Sequence, residues 1–104
     1  MIKKQFVKTR KMYRVTFEMP KDHLPEEVDI KKMALVGDFN EWSEKSTPMV
    51  KLKNGKFKVV VDLEPGKSYQ YRYLANGDLW INDWEADDYQ PNQIEGDNCV
   101  LVLP

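Results

Sequence analysis

Three runs of two-residue alternation, each cut off by a turn pair, commit this chain to antiparallel sheet. From Met12 to Met19, residues Tyr13, Val15, Phe17 and Met19 face one way and Arg14, Thr16 and Glu18 the other. Phe57, Val59, Val61 and Leu63 alternate with Lys58, Val60 and Asp62, and Tyr69, Tyr71 and Tyr73 alternate with Gln70, Arg72 and Leu74 within Ser68–Ala75. Period two with β-branched and aromatic side chains is the signature of a half-buried strand. Shorter apolar runs at Lys32–Val36, Met49–Lys53, Leu79–Ile81 and Cys99–Leu103 read as further strands. Asn54-Gly55 and Asn76-Gly77 predict tight type I′ hairpins, and Pro65-Gly66 a turn. No segment of useful length has helical period; Glu26 to Met33 forms at most a turn. The prediction is an all-β chain, an antiparallel β-sandwich. Its core is expected to hold Phe17, Leu35, Phe57, Val59, Val61, Tyr71 and Tyr73.

With 104 residues, residues 1–104 are read as one domain, too small for a catalytic domain with lids and subsites. Met1 and the terminal Pro104 read as the ends of a free-standing chain. Sixteen Lys and Arg against 17 Asp and Glu give a net charge near −1. That balance argues against a nucleic-acid or anionic-membrane binder, which carries a basic excess. The single cysteine, Cys99, rules out an internal disulfide and gives no support to a Cys-based zinc site. Neither a signal peptide nor a run of transmembrane length is evident, so a cytoplasmic location is expected.

Two turns carry a tryptophan just beyond a strand: Val36-Gly37-Asp38-Phe39-Asn40-Glu41-Trp42, and Tyr73-Leu74-Ala75-Asn76-Gly77-Asp78-Leu79-Trp80. A large aromatic on a loop is poorly placed in water unless something packs on it. Paired flat rings suit an amphipathic ligand such as a sugar, whose C–H faces are apolar and whose rim needs hydrogen bonds. Each ring buries about 100 Å² of combined surface, worth roughly 2–2.5 kcal/mol at ~25 cal/mol/Å². Association costs of at least ~4 kcal/mol leave weak, micromolar-to-millimolar binding.

Gly37-Asp38-Phe39-Asn40-Glu41-Trp42, Pro48-Met49, Gly55-Lys56-Phe57, Leu63-Glu64-Pro65-Gly66, Tyr71-Arg72-Tyr73 and Asn76-Gly77 form an ordered series. The series resembles the family-48 carbohydrate-binding module, the glycogen-binding early-set domain of isoamylase and branching-enzyme N-termini and of the AMP-activated protein kinase β subunit. The resemblance covers Met33 to Leu103. It implies an immunoglobulin-like sandwich of early-set type that binds α-glucan (glycogen, starch or maltooligosaccharide) without catalysis and without a cofactor. By the same resemblance the stacking rings are Trp42 and Trp80, and Arg72 is the basic residue meeting sugar hydroxyls. Asn98 is the nearest match to a sugar-binding asparagine, and Ile94 to an apolar residue reaching into the sugar coil. The stretch Trp84 to Asn92 departs from the kinase-type pattern.

The alternative reading is a protein-interaction or regulatory sandwich paired with an α-glucan-metabolising enzyme. On either reading Trp42 and Trp80 could instead cap the sandwich, and Arg72 could pair with an outward carboxylate. Trp84 is expected to pack under the long polar loop Asn82–Asp97. Asp83, Glu85, Asp87 and Asp88 are expected to be solvated loop carboxylates, neither calcium ligands nor a glycosidase pair. His23 is expected to be exposed in a charged loop, and Cys99 to be a buried small hydrophobe.

Overall fold

The computed structural model describes residues 2–92 and 96–104. Strands β1 (Ile2–Val7), β2 (Met12–Met19), β5 (Phe57–Leu63) and β4 (Val50–Lys51) make one sheet in the order β1-β2-β5-β4. The other has the order β3-β6-β9-β8, from Met33–Gly37, Lys67–Ala75, Asp97–Leu103 and Asp88–Pro91. Strand β7 (Leu79–Ile81) pairs with the C-terminal end of β6. All these pairings are antiparallel. Among the described residues there is no α-helix, only 3₁₀ turns at Lys21–His23 and Asp38–Asn40. None of the described helices is long and apolar enough to cross a membrane.

The alternating runs fold as their period dictates. Tyr71 of β6 meets Phe17 of β2 edge-on across the sandwich at 5.2 Å and packs edge-on against Tyr73 at 5.9 Å. Phe17, Leu35, Phe57, Tyr71 and Tyr73 are buried, and Val59 and Val61 pack against them half-buried. Five such side chains lose most of their hydration on folding, which is the main force holding the sheets together.

Three expectations need correction. Asn76 and Gly77 both have positive φ (54° and 80°), as a type I′ turn requires, but in Asn54-Gly55 only Gly55 does (87°). There Leu52 accepts from the Gly55 N–H at 2.9 Å and donates to Lys56 at 2.8 Å. That is a three-residue loop ending in a left-handed glycine, a longer hairpin than expected. Strand β1 precedes the first strand expected, β2, because IKKQFV has no alternation, and β8 (DYQP) lies inside the segment read as a polar loop. Each forms a sheet edge, where one neighbour and little burial are enough.

Candidate functional site

The outer face of the second sheet carries three of the residues singled out from sequence, Arg72, Trp80 and Asn98. Because Tyr71, Tyr73 and Cys99 face the core, their neighbours Gln70, Arg72, Leu74, Asn98 and Val100 face outward. Register sets Val36 of β3 beside Arg72 and Trp80 of β7 beside Leu74. The Arg72 guanidinium lies over the Trp80 ring, 5.5 Å from its centroid, and its Nε donates to Asn82 Oδ1 at 2.9 Å. A cation on an indole face is held by the ring quadrupole, and the planar fork keeps its direction. Trp80 is half-buried and Arg72 only 8% exposed, so the pair is part of the wall rather than a pair of free side chains.

Asn98 lies within β9, not ahead of it. It donates from Nδ2 to Gln70 Oε1 at 3.0 Å and accepts from Asn92 Nδ2 at 3.0 Å. Asn82 Nδ2 donates to the Asp97 carbonyl at 2.9 Å. Asn82 thus bonds the arginine directly, and Asn92, Asn98 and Gln70 form a separate chain of amide hydrogen bonds on the same sheet. Gln70, Asn82 and Asn92 had no sequence signal of their own; only the period-two face of β6 placed Gln70 outward. Ile94 lies outside the described residues.

Trp42 arrives from the other side, and the motif before it explains its seat. A Cβ at Gly37 would stand 2.5 Å from the Gln70 carbonyl oxygen and 2.9 Å from Tyr71 Cβ, so only glycine lets β3 lie this close to β6. Phe39 turns toward the core and contacts Phe17 and Tyr69. Asn40 stitches the loop, accepting from the Gly37 N–H at 3.1 Å and donating to the Leu35 carbonyl (2.9 Å) and Thr47 Oγ1 (3.0 Å). Asp38 accepts from the Trp42 indole N–H at 2.9 Å with one oxygen and from the Gln70 backbone N–H at 2.7 Å with the other. Glu41 and Trp42 both stand at left-handed φ (57° and 58°). For non-glycine residues each such angle costs on the order of 1 kcal/mol and persists only where surrounding bonds enforce it.

Behind this face sits a polar cluster that the sequence reading placed in solvent. Asp83 is 2% exposed. Its Oδ2 accepts from Tyr71 OH at 3.3 Å and Tyr73 OH at 3.1 Å, its Oδ1 accepts from the Glu85 N–H at 2.9 Å, and its own N–H donates to Cys99 Sγ at 3.2 Å. Burial, and after it the neighbouring anionic groups, holds both phenols well above their usual range. Burial also pushes the Cys99 thiol up to about 11, so it stays protonated and unreactive. Asp87 is likewise engaged, by Lys4 Nζ at 2.6 Å and the Val102 N–H at 2.7 Å. Asp83 is thus a buried structural brace and not the solvated group expected, whereas Asp87 braces from an exposed position. Among the described residues no group of three or more His, Cys, Asp and Glu is arranged to hold a metal ion.

Trp84 does not pack under the loop. It is 66% exposed and stacks on the half-buried His23, ring centroids 4.0 Å apart and planes 17° from parallel.

With this geometry in hand, comparison with known proteins is direct. The family of carbohydrate-binding module 48, the isoamylase N-terminal domain, matches residues 31–90. The chain belongs to that family. Over 72 residues this module is 40% identical to the 1,4-alpha-glucan branching enzyme GlgB of Aquifex aeolicus (strain VF5), covering 66% of the chain. It spans only 11% of that enzyme's length. A carbohydrate-binding module is a non-catalytic domain.

Proposed function

We propose that this module binds α-glucan without turning it over, through the outer face of the second sheet. Trp80 and Trp42 are the stacking rings, Arg72 and Asn98 the hydrogen-bonding rim, and Gln70 and Asn82 its supports. The observation that carries this reading is the Trp80–Arg72 pair bonded to Asn82, with the chain of amides on the same sheet. A pyranose needs such a combination: an apolar plane for its C–H face and fixed donors and acceptors for its hydroxyls. The relative's name, a branching enzyme acting on 1,4-α-glucan, points to the same polymer. An α-glucan-metabolising enzyme is accordingly the natural protein partner, and the cytoplasm the natural setting.

Titration calorimetry with maltoheptaose and co-sedimentation with glycogen test the proposal. Trp80→Ala is expected to weaken binding by about 1–3 kcal/mol, the apolar contribution of one ring. Arg72→Ala should cost binding about 1–2 kcal/mol in charge-assisted hydrogen bonds. The wild type should release no reducing sugar. If neither sugar binds the wild type at millimolar concentration, the interaction-domain reading replaces this one.

A further inference from the structure

Trp84 is the most exposed large hydrophobic residue among those described, yet the residues on either side of it are hydrogen-bonded. The residue before it, Asp83, has its N–H, its carbonyl and both carboxylate oxygens bonded. The carbonyl accepts from Tyr89 OH at 2.6 Å, and the carboxylate takes the N–H of Glu85, the residue after Trp84. His23, from the loop that follows β2, covers one face of the indole at 4.0 Å. With one face covered and two-thirds of the residue exposed, the opposite face is presented to solvent. A residue kept only for packing would not be clamped on both sides and left wet. A ring ordered in advance of its ligand lowers the ordering cost of binding.

We infer that Trp84, backed by His23, is an outlying stacking position for a further glucose unit of the same glucan chain. This rests on the sugar-binding reading of the sheet face and extends it. Asn82, which accepts from Arg72 Nε, precedes Trp84 by two residues, so the two Cα atoms are at most about 7 Å apart. The new platform therefore stands within two residues of a side chain that bonds Arg72. Asp22 and Glu85, both exposed, flank the two rings in sequence. Carboxylates accept from neutral hydroxyls and repel phosphate, so the chemistry selects a neutral sugar over a nucleic-acid base.

Calorimetric titration of the full chain with maltotriose and maltoheptaose tests this. Trp84→Ala should leave maltotriose affinity within about twofold of wild type and weaken maltoheptaose by about five- to tenfold, less than the full contribution of a buried ring. His23→Ala, which removes only the backing, should give an intermediate loss, and Trp84→Phe should recover part of it. Thermal melts establish that each variant is folded; should Trp84→Ala not fold, His23→Ala and Trp84→Phe carry the test. Unchanged maltoheptaose affinity in all three variants, with Trp80→Ala still weakening it, overturns this inference alone. Equal loss for both sugars also overturns it. A wild type that binds neither sugar overturns the site itself.

Discussion

The two sheets of this sandwich show opposite outer faces. On the first, outward positions meet water: Val60 is 47% exposed, Arg14 and Lys58 are exposed, and Asp62 pairs with Arg10 at 2.8 Å. On the second, Val36, Leu74, Arg72 and Val100 face outward yet are all nearly inaccessible. A sheet face needs a roof to bury such residues, and the chain's own loops provide it. Period-two alternation alone describes the first face. The second has been built over, and the residues proposed to hold sugar are part of the covering.

The contrast is most easily broken at matched valines. Val36→Asp and Val60→Asp place the same charge on the outer side of a strand, β3 at the edge of the second sheet and β5 inside the first. We expect Val36→Asp to destabilise by about 3–5 kcal/mol, since an unpaired buried charge has no compensating partner. Val60→Asp should stay within about 0.5 kcal/mol. Chemical denaturation of both variants measures the difference, and equal losses would mean that the second face is not covered. Asp38→Ala sharpens the comparison at an intermediate scale. It removes the acceptor for both the Trp42 indole and the Gln70 N–H, and should cost about 1–3 kcal/mol in stability while freeing the ring. Trp42 emission shifted to the red would report the release. A smaller effect than at Asp38 is expected at Glu18, among the described residues the one buried acid on the first sheet's outer side. Its carboxyl is held below the usual range, chiefly by the hydrogen bond from Lys56 at 2.9 Å and further by Lys3 at 3.6 Å. A depressed folded pKa means that this stabilisation is complete above the ordinary carboxylate pKa and is lost as pH falls through the folded value. Glu18→Gln should therefore cost about 1 kcal/mol at neutral pH and nothing in strong acid; a penalty independent of pH would assign the loss to packing.

Strands whose side chains alternate were the most legible: β2 and β5 begin and end where the pattern does, and β6 begins one residue earlier, at Lys67. Edge strands β1 and β8 were not, because an edge is specified by backbone pairing and carries no apolar period. Gly37 and Asp38 were recognised within a motif, but their work, close approach to β6 and a bridge from Trp42 to Gln70, depends on a strand 30 residues away in sequence that no local pattern names. Asp83 was misread for the same reason. A carboxylate in an acidic loop looks solvated until two tyrosine hydroxyls from β6 are found to end on it. Trp84 was expected to hide, and its stack on His23 joins loops more than 60 positions apart.

The left-handed pair at Glu41 and Trp42 bears on time as well as on shape. On the proposed sugar-binding reading, a ring already held in place has no slow rearrangement to complete before a ligand seats, so capture would proceed at the rate of encounter. Differences in affinity then fall on departure. A weakly held polymer with many equivalent stations would be released and recaptured quickly, so the module would move along it in short stays.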